Sequence, residues 1–165
     1  MLLPQDVLVA LKLAVSKKAY TYAELANALN LSASQVHSAV KRCDKSGLVK
    51  RESMRSNRGA LCEFLIHGAK YAYPPISGKW QRGMPTAHSA SPLRSHISSS
   101  GEPVVWPDPE GEMRGEALHP LHKSVPHAAR KDPHLYQALA LLDAIRSGRA
   151  RERDIAAQLL AEILA

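Results

Sequence analysis

The chain has 165 residues, 45% of them hydrophobic, which allows one domain or a small domain with a long extension and excludes most large enzyme folds. Its formal net charge of +7 favours a polyanionic partner such as nucleic acid or an anionic membrane surface. Residues 1–58 hold ten Lys and Arg against four Asp and Glu, so a net charge of +6 lies in the first third. We therefore expect any nucleic-acid-binding surface in that part of the chain.

The apolar runs are all far shorter than the roughly 20 residues that a membrane-spanning helix needs. Cys43 and Cys62 lie in apolar stretches, outside any CxxC or disulfide-dense pattern, and no charged-then-apolar leader is visible at the N-terminus. These features predict a soluble, cytoplasmic protein in a reducing compartment, with no membrane partner.

Three short segments near the N-terminus carry apolar residues at helical spacing. The first runs over residues 6–15. Thr21 with Glu24 and Ser32 with Gln35 are capping-box patterns, which predict where the second and third helices begin. Asn30 suits the left-handed residue that ends the second helix, so the turn between the two is very short. The third helix is predicted to bury Val36, Ala39, Val40 and Cys43.

A two-stranded hairpin is predicted after Gly47, which closes the third helix. Residues 48–51 are typical of a short strand, and residues 52–59 of a polar, basic turn that ends in Asn57-Arg58-Gly59. Residues 60–67 are then predicted to be the returning strand.

Residues 68–131 differ in composition, with nine prolines between positions 74 and 126. This predicts an irregular segment or linker, with a strand over residues 102–106 and a possible short helix over residues 69–73. Trp80 and Trp106 either anchor this segment or line a small ligand pocket, and anchoring is the commoner role.

Residues 132–165 are predicted to form two amphipathic helices. Asp132-Pro133 is a helix start, Leu135, Leu139, Leu142 and Ile145 follow on one apolar face, and Gly148 separates the second helix. Such a pair needs a partner surface. It can supply a dimer interface, bind a second protein or fold back on its own N-terminal domain.

The order of these N-terminal elements resembles the winged helix-turn-helix domain of bacterial transcriptional regulators, in particular the MarR-like and ArsR-like groups. The resemblance rests on residues 22–26, 31–42 and 46–51 and covers residues 1–67. It implies three helices plus a two-stranded wing that bind double-stranded DNA. Together with the irregular middle and the C-terminal helical pair read from composition and spacing, the predicted fold class is α+β, mostly α. The resemblance also implies a homodimer on a palindromic site, although its flanking helices are replaced here by Pro-rich sequence.

The face of the third helix opposite its apolar residues is polar and basic. Gln can bind adenine and Arg can bind guanine through two hydrogen bonds, so we expect base contacts from Ser34, Gln35 and Ser38. Arg42 is expected near a base or the backbone, and Lys41, Lys45, Lys50 and Arg51 at phosphates. Arg55 and Arg58 are expected at the wing tip, where the resemblance implies contact with the minor groove or the flanking backbone. The predicted DNA-binding residues are Ser34, Gln35, His37, Ser38, Lys41, Arg42, Lys45, Lys50, Arg51, Arg55 and Arg58.

Other roles have weaker support in the sequence. A winged helix that binds only protein typically lacks the basic wing that is present here. A metal sensor could use His119, His122 and His127, with His134 further on, but no Cys or ordered carboxylate lies near them, so no metal or cofactor is predicted. Cys43 could be a redox switch, yet its apolar face favours a core position.

The sequence shows no nucleophile with a placed base, no Gly-rich phosphate loop and no paired carboxylates in an apolar setting, so no enzyme is predicted. The predicted function is a sequence-specific DNA-binding transcriptional regulator, most simply a repressor that acts as a dimer. The alternative is an adaptor or antitoxin-like subunit whose C-terminal helices bind a partner protein.

Overall fold

The N-terminal helices begin and end where their caps place them in a computed structural model, which describes residues 1–98 and 101–165. They are α1 (Pro4–Val15), α2 (Tyr22–Leu29) and α3 (Ala33–Lys45). The capping box of α3 is complete: Ser32 Oγ accepts from Gln35 N–H at 3.1 Å, and Gln35 Oε1 accepts from Ser32 N–H at 2.9 Å. Asn30 has a φ of 53° in the left-handed region and turns the chain from α2 into α3.

The predicted capping box of α2 forms only in part. Thr21 Oγ1 accepts from Glu24 N–H at 3.1 Å. The Glu24 carboxylate does not return to the cap; it forms an ion pair with Lys18 Nζ at 2.9 Å. One half of the motif is enough to begin the helix, because the Thr side chain satisfies a free N–H group of the first turn.

The wing is shorter than predicted. It consists of β1 (Val49–Lys50) and β2 (Arg55–Ser56), paired antiparallel. The predicted returning strand over residues 60–67 is wrong, because this stretch belongs to helix α4 (Arg58–His67). Asn57, predicted as a turn residue, is the N-cap of α4 and accepts from Ala60 N–H at 3.3 Å. A short apolar run is compatible with a strand or a helix, and here the Asn57 cap favours the helix.

The Pro-rich middle contains more regular structure than its composition predicts. The expected helix and strand correspond to α5 (Ala69–Ala72) and β4 (Val104–Pro107), but β3 (Ser77–Pro85), β5 (Met113–Leu118) and α6 (Val125–Lys131) were not predicted. Two 3₁₀ turns follow β3. The prolines fit these elements because they lie at the ends of β3 and β4 and in the first turn of α6, where a missing N–H costs little.

The three strands of the middle close on themselves as a small barrel. β3 pairs antiparallel with β4 and with β5, and β4 pairs parallel with β5. Gly83 lies opposite both Pro107 and Met113, and a Cβ added there would be 2.0 Å from the Trp106 carbonyl oxygen. The strands can approach this closely only because Gly83 has no side chain.

Helix α7 (Pro133–Ser147) lies at the centre of the molecule, and α8 (Ala150–Ile163) packs against it. Asp132 caps α7 as predicted, accepting from His134 and Leu135 N–H at 3.0 and 3.2 Å, and it also pairs with Lys12 Nζ of α1 at 2.6 Å. Every residue from 138 to 146 of α7 is buried, and the helix contacts α1, α4, α5, α6 and α8. The C-terminal pair thus folds back on the N-terminal helices, and residues 138–146 of α7 offer no free face to a second chain.

A buried carboxylate joins the barrel to α7. Asp143 accepts from Trp106 Nε1 at 2.6 Å and from Thr86 Oγ1 at 2.7 Å, while Arg146 donates to its other oxygen at 3.0 Å. Burial raises the pKa of Asp143, and the three donors oppose that shift. Trp106, 1% exposed, is therefore an anchor as predicted, whereas Trp80 is 50% exposed and anchors nothing.

Candidate nucleic-acid interface

The outer face of α3 carries an open group of polar and cationic side chains. Val36, Ala39, Val40 and Cys43 are fully buried, as predicted. This burial turns the opposite face to solvent, where Ser34, Ser38, Lys41 and Lys45 are exposed. A carboxylate appears on α3 only at Asp44, near its end, where it accepts from Arg51 N–H at 3.1 Å. The first three turns thus present hydroxyls and positive charge.

His37 belongs to the same face but is partly committed to α2. Its ring stacks on that of Tyr22, with centroids 3.8 Å apart and planes 10° from parallel. This contact fixes α2 against α3 at the solvent surface. His37 remains exposed, so an edge of its ring is still accessible.

Gln35 is less free than the sequence suggested. Its amide oxygen is held by Ser32 N–H in the capping box at 2.9 Å. The two-bond contact with adenine needs both the oxygen and the amino group of the side chain. Gln35 can make that contact only by leaving the cap, so the structure supports at most an amino-group contact from this residue.

Arg42 does not lie free on the surface. Its Nε and Nη2 donate to the two carboxylate oxygens of Asp6 at 2.7 and 2.8 Å, and the Asp6 side chain is completely buried. This hydrogen bonding raises the pKa of Arg42. Asp6 belongs to the first turn of α1, where it also accepts from Leu3 N–H at 2.8 Å. Arg42 therefore fastens α3 to α1, and its guanidinium is less free for the predicted contact with a base or the backbone than the sequence suggests.

The cations predicted for the wing lie in different places. Lys50, Arg51 and Arg55 are exposed on the β1–β2 hairpin, whose turn contains Met54 with a φ of 52°. Arg58, expected at the wing tip, is the first residue of α4 instead, and its Nη1 donates to the Ala165 carbonyl oxygen at 3.1 Å. The hairpin ends before Arg58, because Asn57 already caps the helix.

The cysteines and histidines have local roles in the fold. Cys43 is buried beside the Asp6 main chain, and burial raises the pKa of its thiol to about 12, so it remains a protonated core residue. His122 Nδ1 is 2.8 Å from Ser124 Oγ. Within residues 1–98 and 101–165, no three His, Cys, Asp or Glu side chains are grouped as metal ligands.

Sequence reasoning missed two features of this region. The first is the buried ion pair of Asp6; an acid in an otherwise apolar helix, with an arginine available as its partner, is the sequence signal for such a pair. The second is the position of Lys17 and Lys18, which follow α1 in sequence. The structure places them beside the wing, together with Arg55 and Arg58.

Residues 15–50 match the model of a family described as winged helix-turn-helix DNA-binding. This segment is a winged helix-turn-helix. It contains α2, α3 and β1, the elements that display the open face described above. The match supports a DNA-binding regulator, and the fold is mostly α. The comparison with curated proteins and the comparison with solved structures gave no match. Across residues 1–98 and 101–165, no helix is both long enough and apolar enough to cross a bilayer.

Proposed function

We propose that the protein is a cytoplasmic, non-enzymatic transcriptional regulator that binds double-stranded DNA at specific sequences and represses a promoter by occupying it. The observation that carries the proposal is the outer face of α3, which is rich in hydroxyl and cationic groups and free of carboxylates over its first three turns. A helix with such a face fits the major groove, where its first residues lie deepest.

The contacts divide between bases and phosphates. Ser34 and Ser38, in the first half of α3, are the proposed base contacts, with His37 and the amino group of Gln35 beside them. Arg42 acts as a positioning residue through Asp6. The proposed phosphate contacts are the exposed cations Lys41, Lys45, Lys50, Arg51 and Arg55.

We propose that a homodimer, of the MarR-like or ArsR-like kind, reads a two-fold site. Because α7 is buried, the second copy must use another surface, such as the outer side of α8. The domain organisation proposed is a DNA-binding unit over residues 1–67, with the middle and C-terminal parts packed against it. Sedimentation of the full chain with and without operator DNA tests the dimer.

An adaptor or antitoxin-like role is the second candidate. Tyr71 and Ile76 are 73% and 62% exposed, which leaves apolar surface for a partner protein near the start of the middle segment. This role is tested by co-purifying the protein with the product of a neighbouring gene. Co-purification that is lost in a Tyr71→Ser variant but retained in a Lys79→Ala variant favours the adaptor role over the simple repressor.

The DNA interface is tested by fluorescence anisotropy with fragments of the gene's own upstream region at several salt concentrations. Lys41→Ala and Lys45→Ala should weaken binding to all sequences and reduce the salt slope by about 1 each. Lys79→Ala is the matched control, because it removes the same charge from an exposed site on the barrel. If all three variants lose affinity equally, α3 is not the interface.

Sequence reading is tested separately with Ser34→Ala and Ser38→Ala. Losing the single hydrogen bond of a serine hydroxyl to a base should cost about 1 kcal/mol of discrimination, roughly fivefold, at one base position, with affinity for unrelated DNA unchanged. Unchanged preference at every base position in both variants contradicts the assignment of these serines.

A further inference from the structure

A cleft of about 260 Å³ lies between the loop that follows α1 and the wing. Four cations line it: Lys17 and Lys18 from the loop, Arg55 from β2 and Arg58 from the start of α4. No carboxylate is among its lining residues. We call this the loop–wing cleft.

The positive charge of the loop–wing cleft is only partly compensated inside the protein. Lys18, whose side chain is 65% exposed, pairs with Glu24 at 2.9 Å. Arg58 donates to the Ala165 carbonyl oxygen at 3.1 Å. Neither Lys17 nor Arg55 forms an ion pair with any carboxylate in the described part of the chain. Gathering like charges costs free energy, and an anionic ligand would offset that cost.

Hydroxyl groups complete the lining. Ser16, Ser53 and Ser56 contribute to the same cleft. The hydroxyls of Ser53 and Ser56 make only long bonds to main-chain carbonyl oxygens, at 3.5 and 3.4 Å, so they can rotate toward a ligand at little cost. Several cations with hydroxyl donors and no acid fit a phosphate group, whose oxygens accept several charge-assisted hydrogen bonds at once.

An adjoining cleft of about 750 Å³ extends this surface. It shares Lys17, Lys18 and Arg58 and adds Lys131, while its acid, Asp132, is already paired with Lys12. A molecule whose phosphate lies in the loop–wing cleft therefore finds further positive surface beside it, which suits either a continuing nucleic-acid backbone or a larger phosphate ester.

We infer that the loop–wing cleft is a phosphate-binding site, with Lys17, Lys18, Arg55 and Arg58 as its charged donors. The phosphate comes from the DNA backbone beside the α3 contact or from a small free phosphate compound. The first source rests on the proposed DNA-binding function, whereas the second is independent of it.

The test uses the full chain, a Lys17→Ala/Arg55→Ala double variant, and Lys79→Ala combined with Lys123→Ala as a control of equal charge change. Pyrophosphate binding is measured by titration calorimetry against chloride of equal ionic strength, and DNA binding by anisotropy over a salt series. Thermal unfolding of each variant verifies that it is folded; both substituted side chains in the double variant are exposed.

A free-phosphate site predicts one bound pyrophosphate per chain and at least a tenfold loss of affinity in the double variant only. A backbone site predicts no stoichiometric pyrophosphate binding, but a DNA salt slope about 2 smaller in the double variant and unchanged in the control. The inference is overturned if pyrophosphate does not bind and the salt slope of the double variant falls by no more than about 1, the loss that Arg55 alone explains under the proposed function. If the natural chain binds no DNA, the proposed function is wrong. Pyrophosphate binding then still shows whether the loop–wing cleft is a phosphate site.

Discussion

The ion pair between Arg42 and Asp6 provides the sharpest test of how α3 is held. In Arg42→Ala the guanidinium is removed, and the carboxylate of Asp6 stays inside the protein without its charged partner. The Asp6 side chain is 0% exposed, and both of its oxygens are bonded to Arg42 at 2.7 and 2.8 Å. The substitution should therefore destabilise the fold much more than the loss of a surface charge does.

The size of the effect follows from the burial of the pair. Removing one partner of a buried ion pair costs about 3–5 kcal/mol. The Arg42 side chain is 28% exposed, so water can reach the carboxylate after the substitution, and the Leu3 N–H bond to Asp6 remains. We therefore expect a loss near the lower end, about 3 kcal/mol in the free energy of unfolding. For a chain of this length that corresponds to a fall in Tm of roughly 6–12 °C.

Urea unfolding followed by circular dichroism measures this loss, and DNA anisotropy on the same samples measures function. Lys41→Ala is the matched control, because Lys41 is the exposed neighbour of Arg42; its stability should change by less than about 0.5 kcal/mol while its DNA affinity falls. Asp6→Asn/Arg42→Ala should recover part of the lost stability, since no charge is then left buried.

The opposite pattern would refute this reasoning. If Arg42→Ala unfolds at the natural urea midpoint but changes which base is preferred at one position, Arg42 reads DNA and the ion pair contributes little. If Asp6→Asn/Arg42→Ala is less stable than Arg42→Ala, the cost does not come from an unpaired buried carboxylate.

Three further predictions concern packing, capping and pH. Gly83→Ala should lower the free energy of unfolding, measured in urea, by about 3 kcal/mol, because its methyl group would meet main-chain atoms of β4. The control is Gly59→Ala in α4, whose methyl group would make only an ordinary van der Waals contact with Asn57 Oδ1 and should raise the free energy of unfolding by about 0.5–1 kcal/mol. Equal effects of the two substitutions contradict the barrel geometry. Asn57→Ala should lower the free energy of unfolding by about 1 kcal/mol, because it removes the N-cap of α4. An unchanged Tm contradicts the capping role of Asn57. Burial lowers the pKa of His122 below its ordinary 6.5, so the stability that its neutral form contributes is complete above about pH 6.5 and is lost as the pH falls through the lowered value. The His122→Asn variant should therefore lose less stability than the natural protein between about pH 7 and 5, as measured by unfolding followed with circular dichroism. Equal slopes of stability against pH contradict this.

Local chemistry made the N-terminal helices predictable. Caps act over three or four residues, so Ser32 with Gln35 and Asn30 fix the ends of α2 and α3 without reference to the rest of the chain. The apolar spacing in α3 likewise predicts its outer face. When Val36 and Val40 face the core, Ser38 and Lys41 must lie on the opposite side of the helix, toward solvent.

The middle of the chain was not predictable in this way. β3 and β5 are separated by about thirty residues, and their hydrogen bonds form only when the barrel closes. Nothing local distinguishes a proline at the end of such a strand from a proline in a linker. The run over residues 60–67 was equally ambiguous, because its apolar residues satisfy both periods and the role of Asn57 depends on the chain turning at that point.

The apolar spacing of α3 is enough to predict which of its residues face away from the core, and with them the DNA-binding character of the first third of the chain. Which of those side chains are free to bind DNA depends on contacts between elements that are distant in sequence. Arg42 and Asp6 are 36 positions apart, and their pairing ties up a guanidinium whose chemistry suits guanine well. Lys17 and Arg55 meet at one cleft for the same reason: helical and capping preferences act within one element, whereas the packing of α1 against α3 and β2 sets the distances between charges on different elements.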